Sequence, residues 1–247
     1  MPTLLFKDVG LVKGVRFDSW RRIGTVMQSV KVYNMREVDE LVFLDISATK
    51  EGRRPDFDTI DDIADECFMP LTVGGGIRTI DDIKQLLKVG ADKVAINTAA
   101  IETPELILSA SKKFGSQCIV VSIDVKKQSN GQYEVFTHSG TKSTGKSPIE
   151  IAKRVEDLGA GEILLTSIDR DGTMLGYEIE LTRQVSEAVS IPVIASGGAG
   201  HYQHMLEVLK EGKASAVAAA SIFHFTQQTP LEAKNFLAQN GIPTRIS

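Results

Sequence analysis

The sequence predicts an α/β protein folded as one (βα)8 barrel with a twofold (βα)4 half-barrel repeat. Three observations predict it. Short apolar runs alternate with helical patterns eight times, and no linker or low-complexity segment separates them. Residues 70–101 and 192–223 superimpose without gaps, matching at Pro70/Pro192, Gly75/Gly197, Gly76/Gly198, Leu87/Leu209, Lys88/Lys210 and Gly90/Gly212. Polar residues recur where strands end: Asp45, Asn97, Thr98, Asp124, Asp169, Asp171, Ser196 and Ser221. In a closed TIM barrel all of these rim a single mouth, where barrel enzymes place their chemistry. An open doubly wound sheet binding a nicotinamide would show Gly-x-Gly-x-x-Gly after its first strand, and this chain does not.

Residues 1–6 read as a short apolar strand, followed by a polar loop over 7–14. Residues 18–36 read as the approach to a helix and the helix itself, with Val26, Val30 and Tyr33 on its apolar face. The run 41–46 is apolar throughout, as a strand covered on both faces should be, and Asp45 closes it. A helix near 58–67, strand 70–73, helix 79–89 and strand 93–97 complete the first half, about 1–101. Thr79 followed by Asp81 and Asp82 is a helix-start signal. The second half, about 102–247, begins with helix 104–114 and strand 118–123, which ends at Asp124. Residues 126–138 carry Asn130-Gly131 between apolar positions, the mark of a β-hairpin inserted in a βα loop. Helix 148–158, strand 162–167, helix 178–189, strand 191–195, helix 201–211, strand 215–219 and helix 230–239 finish one undivided domain.

A net charge of −4 argues against a nucleic-acid or anionic-membrane surface. No stretch approaches the length of a membrane span and no secretory leader is visible, so a cytoplasmic protein is expected. Cys67 and Cys118 lie in apolar runs without ligand-like spacing and are expected as free thiols. His201 and His204 lack a third ligand at metal spacing and read as helix-surface residues; His138, beyond the hairpin, reads as a surface residue, with a place over the mouth as the alternative. His224 reads as structural, while Trp20 fits either core or a lid. No metal, flavin or nicotinamide signature is present, and no cofactor is expected.

The two glycine turns at 74–76 and 197–198 suit anions. Glycine lets backbone N–H groups approach a phosphate, and the helix that follows presents its positive end. Two such cradles in register suggest a ligand held at two points.

Longer stretches resemble one family, the cyclase subunit of imidazole glycerol phosphate synthase and its sister phosphate-binding barrels of histidine biosynthesis. They are 39–45 (Asp-Glu-Leu-Val-Phe-Leu-Asp), 71–77 (Leu-Thr-Val-Gly-Gly-Gly-Ile), 91–94 with Asn97 and Thr98, and 114–120 (Phe-Gly-Ser-Gln-Cys-Ile-Val). Further matches are 159–173, 194–198 and 219–224. The resemblance implies a bisphosphorylated ligand. One phosphate site would include Gly76, Asn97 and Thr98 with the charge of Lys13, and the other Gly172, Gly198 and Ser221. Asp171 would contact the substrate. It also implies a glutaminase subunit as heterodimer partner, whose ammonia enters the opposite face past Glu40, Lys93 and Glu162. The internal repeat independently relates Glu40 to Glu162.

One departure stands out. The family's reaction implies a general acid and base at the ends of strands one and five. Strand five supplies Asp124, whose pKa an apolar surrounding would raise towards neutrality. The strand-one position, set by register with the loop from Lys7 to Lys13, is Leu5. Asp8 lies three residues on, roughly 10 Å along an extended chain. One branch of the family resembles this chain in carrying leucine there. Its members serve a glutaminase and an N-acetyl-sugar amidotransferase that makes acetamidino sugars, so an ammonia-conducting paralogue is expected. A working histidine-pathway cyclase is the alternative. Val9-Gly10 and 67–70 (Cys-Phe-Met-Pro) resemble that branch, whereas Thr98, 166–168 and 194–196 stay close to the histidine enzyme.

Overall fold

The computed structural model describes residues 1–8 and 10–245, so Val9 of the Val9-Gly10 motif lies outside the described residues. Strand β1 (Thr3–Lys7) runs into β2 (Gly10–Val15) and β3 (Asp18–Gly24) before helix α1 (Val26–Met35). Then β4 (Leu41–Asp45), α2 (Phe57–Glu66), β5 (Leu71–Gly74), α3 (Ile80–Lys88) and β6 (Lys93–Ile96) alternate. A short helix α4 (Thr98–Glu102) precedes α5 (Glu105–Phe114), and β7 (Ile119–Lys127) leads into the hairpin strands β8 (Tyr133–Thr137) and β9 (Lys142–Ser143). The chain continues α6 (Pro148–Asp157), β10 (Glu162–Ser167), α7 (Ile179–Ser186), β11 (Val193–Ser196) and α8 (Tyr202–Lys210). It ends β12 (Ala216–Ala218), α9 (Ser221–Phe225) and α10 (Pro230–Gln239).

The parallel neighbours run β1, β4, β5, β6, β7, β10, β11, β12. A bridge from Pro2 to Ala219 joins the two ends, with Thr3 N donating to Ala219 O (2.9 Å) and Ala219 N to Met1 O (3.0 Å). The expected eight-stranded barrel is therefore present. Side chains alternate across each strand because the strand period is two. Leu41 and Phe43 of β4, and Ile119, Val121 and Ile123 of β7, pack outward with the helices' Ile60, Ile63, Ile83, Leu86 and Ile107. Val42, Ala95, Val120, Leu164, Ile194 and Ala218 point inward and fill the barrel. Burying each large aliphatic side chain is worth roughly 1.5–3 kcal/mol.

Helix ends follow the sequence signals. Thr79 accepts from Asp82 N while the Asp82 carboxylate accepts from Thr79 N, a capping box, and Thr229 with Glu232 builds another. The inserted hairpin turns at Gly131, with φ +84°, and pairs Asp124 with Phe136.

Residues 10–24 differ from expectation. They form an antiparallel hairpin, β2 with β3, in place of a loop and a helix approach. Leu5 pairs with Val12 and Lys7 with Gly10, so the first barrel strand turns back on itself. The β2–β3 turn has Arg16 (φ 54°) and Phe17 (φ 60°) at its centre, the left-handed geometry of a two-residue hairpin turn. Neither residue is Asn or Gly, so the usual sequence signal is missing.

Candidate active site at the barrel mouth

A cavity of about 400 Å³ opens at the C-terminal ends of the strands. It takes in both glycine cradles, Gly75–Gly76 and Gly197–Gly198, together with Asn97, Thr98, Gly172 and Ser221. Each cradle has the same construction. Gly75 and Gly76 have φ of +109° and +73°, and Gly197 and Gly198 have +90° and +111°. A Cβ at Gly76 would lie 2.7 Å from Arg53 O, and one at Gly198 would lie 2.1 Å from Gly176 O, so no other residue fits either turn. Beside each cradle a five-residue helix begins, α4 at Thr98 and α9 at Ser221. Both are too short to show an apolar period, so neither is legible in the sequence.

The two sides differ in what already occupies their polar groups. On the first, Thr49 Oγ1 accepts from Gly76 N (3.3 Å) and Thr98 Oγ1 accepts from His138 N (3.0 Å). His138 thus lies over the mouth and lines the cavity, the alternative to the surface role that the sequence favours. The hairpin carries it there, and Ser139 Oγ donating to Ile46 O (2.8 Å) pins the next residue. On the second side, Ser221 Oγ is buried with no hydrogen-bond partner among the described residues.

Lys13 is 3% exposed and points from β2 into the mouth. Its Nζ donates to both carboxylate oxygens of Asp171, at 2.7 and 2.8 Å. The structure therefore places this charge beside Asp171 and Gly172 of the second cradle, whereas the family resemblance assigns it to the first. The hairpin is held in that position at several points. Arg16 N donates to Asp171 O (2.8 Å), and the Arg21 guanidinium stacks 3.7 Å from the Phe225 ring centre. Phe17 and Trp20 of the hairpin line the cavity, so Trp20 faces the mouth and not the core. His224 is pushed down to about 4 by burial and then by the charge of Lys13.

Asp124 sits in the same cavity, 8% exposed. Burial, and then the negative charge of Asp171, push its carboxyl up to about 7. Asn97 Nδ2 donates to its Oδ2 (3.2 Å) and to Ser122 O (2.9 Å), fixing the carboxylate's orientation. A carboxyl titrating near 7 is suited to general acid–base work. Leu5 also lines the cavity and is 8% exposed, so the strand-one position presents an apolar side chain to the mouth. Asp8 is exposed, with φ 58°, and does not line the cavity. Asp45 does line it, but its carboxylate is taken up by Ser47 N, Ser47 Oγ, Ala48 N and the Arg53 guanidinium.

At the opposite end of the barrel, Lys93 Nζ donates to both oxygens of Glu40 (3.0 Å each) and to Glu162 Oε1 (2.7 Å). Three residues far apart in sequence are one cluster. Burial opposes the charge on Lys93, but the hydrogen bonds and charges of Glu162 and Glu40 outweigh it and hold its ammonium above the usual range. The rings of His201 and His204 stack at 3.6 Å, and no group of three metal-ligating side chains occurs among the described residues. No helix among them is long and apolar enough to cross a membrane.

A protein-family model described as "Histidine biosynthesis protein" matches residues 2–229, nearly the whole chain.

Proposed function

The chain belongs to the histidine biosynthesis protein family, and from that premise we propose that it is an ammonia-conducting barrel related to the cyclase subunit of imidazole glycerol phosphate synthase. In this reading a glutaminase subunit docks at the face carrying Glu40, Lys93 and Glu162. The mouth binds a phosphorylated small molecule, and the nitrogen serves amidation of an acetamido sugar by a separate sugar amidotransferase. The observation that carries it is Leu5. It lines the same cavity as Asp124, where the family's second carboxylate is required. Cyclisation needs a donor and an acceptor together, and losing one costs ~10²–10⁴-fold in rate.

Two cradles with matching positive-φ glycines and a helix start beside each support a ligand with two phosphates. Ser221 Oγ offers a ready hydrogen bond there. Lys13 supplies positive charge to the second phosphate once Asp171 shares it with the ligand.

The cyclase reading keeps one observation in its favour: Asp124 titrates near neutrality and is oriented by Asn97. Two measurements separate the readings. The purified barrel is supplied with ammonium salt and the bisphosphorylated formimino-ribulosyl substrate, and the ammonia-conducting reading expects no turnover. Turnover at a rate able to support histidine synthesis overturns it. The barrel should also raise the activity of its glutaminase partner on mixing, and no binding between the two would count against conduction.

A further inference from the structure

The barrel interior is built in layers. Glu40, Lys93 and Glu162 form the lowest. Two residues further along the same strands stand Val42, Ala95 and Leu164, roughly 7 Å higher. Thr3 pairs with Val42, and Thr72 pairs with both Val42 and Lys93, so the inward residues of these alternate strands lie between the charged layer and the layer of Val42, with Leu5 paired to Leu44 further up. The mouth cavity reaches down to this depth, where Thr3, Ala95 and Ala218 line it.

Thr3 is 8% exposed, and its Oγ1 is buried without a partner among the described residues. In the layer beneath, Glu162 Oε2 is likewise buried with no partner among the described residues, although Oε1 binds Lys93. A dry hydroxyl forfeits a hydrogen bond, which costs free energy. Two such groups at successive depths, under a cavity narrowed by Leu5 but kept open by alanines, call for a small guest. The walls decide its charge. Val42, Ala95, Val120, Leu164, Ile194 and Ala218 offer an ion no compensation, so an ammonium would have to give up its proton before entering. A hydroxyl both donates and accepts, and can serve a guest of either polarity.

We propose that the barrel holds a station for one small uncharged hydrogen-bonding molecule, water or ammonia, fixed by Thr3 Oγ1 between the charged layer and the mouth. It deepens the ammonia-conducting reading and rests on it for its purpose, though not for its existence.

The test compares the full-length wild type with Thr3→Val, which keeps the shape and loses the hydroxyl, and with Thr3→Ser, which keeps the hydroxyl. Crystal structures at atomic resolution should show a density peak about 2.7–3.2 Å from the hydroxyl oxygen in the wild type and in Thr3→Ser, and none in Thr3→Val. Thr3→Val should melt no higher than the wild type, because it loses a satisfied hydrogen bond. A wild type with no peak, or a Thr3→Val that melts higher because a dry hydroxyl has been removed, overturns the station. In the complex with the glutaminase, Thr3→Val should lower the fraction of glutamine nitrogen delivered by about threefold to tenfold, the weight of one hydrogen bond. A peak with an unchanged fraction identifies the guest as water. A peak in a wild type that delivers no nitrogen leaves the station standing and overturns the conduction reading alone.

Discussion

Lys13 Nζ lies 2.7 Å from Asp171 Oδ1 and 2.8 Å from Oδ2, inside the mouth of the barrel. The pair joins the first loop excursion to the loop after the sixth barrel strand, 158 residues apart in sequence. It is the charged part of a latch that also includes Arg16 N on Asp171 O. Removing one partner leaves the other buried and unpaired. Lys13→Met is therefore expected to destabilise the protein by about 3–5 kcal/mol. Adding Asp171→Leu should recover most of that loss, because no uncompensated charge remains. Denaturant unfolding of the two single variants and the double variant measures the coupling, and additive losses would show the pair to be energetically idle.

The Asp124 carboxyl, held at about 7, couples stability to pH in an unusual direction for an acid. Its unfolded value lies near 3.8, so between the two values the folded state binds the extra proton. Stability from this group is complete below pH ~4 and is lost as pH rises through about 7. The full swing is at most about 4 kcal/mol, since each tenfold gain in proton affinity is worth ~1.36 kcal/mol. Asp124→Asn should abolish this component and be the more stable protein above pH 7. Unfolding free energies of both proteins at pH 5 and pH 8 provide the comparison; parallel changes in the two would place the titration elsewhere.

Leu5→Asp restores a carboxylate to the position facing Asp124's cavity. If the phosphate cradles are intact, ammonia-dependent cyclisation of the bisphosphorylated substrate should appear or rise by ~10²–10⁴-fold, the usual contribution of one acid or base. The substitution buries a second acid near Asp124 and Asp171, so its own carboxyl should titrate well above the usual range. A folded Leu5→Asp protein with unchanged activity means that more than this residue separates the chain from a cyclase.

Most of the architecture was legible because it follows from two periods and a repeat. Apolar runs such as 41–46 and 118–123 mark strands, and Thr79 with Asp82 marks a helix start. The internal repeat pairs Gly76 with Gly198 and Glu40 with Glu162. The hairpin at 10–24 was not legible. Its strands are half polar, since β3 is mostly exposed, and its turn uses Arg16 and Phe17 where Asn-Gly would have announced it. Lys13 belongs to that hairpin, and its ion pair with Asp171, 158 residues away, is recorded by no local pattern. His138 is hidden for a similar reason. Its position depends on a hydrogen bond to Thr98, 40 residues away, which no local pattern records. Leu5, by contrast, was legible through the resemblance, because the family's loop from Lys7 to Lys13 sets its register, and it lines the cavity.

Ser221 separates stability from binding most cleanly. Its Oγ is buried with no partner among the described residues, so Ser221→Ala removes a group that makes no hydrogen bond to them. That variant should be as stable as the wild type or more stable, by up to about 1–3 kcal/mol, the desolvation cost it relieves. If the hydroxyl serves a phosphate, the same substitution removes a charge-assisted hydrogen bond worth roughly 1.5–3 kcal/mol. Affinity for a bisphosphorylated sugar should then fall by about 10- to 100-fold, at ~1.4 kcal/mol per factor of ten. Trp20, the protein's one tryptophan, lines the cavity and can report the titration by fluorescence. Gly198→Ala makes the companion test, because its Cβ would meet Gly176 O at 2.1 Å and should cost both stability and binding. The opposite signs for Ser221→Ala, more stable yet weaker in binding, mark a hydroxyl held ready for an anion. Unchanged affinity with raised stability would reduce Ser221 to a packing residue.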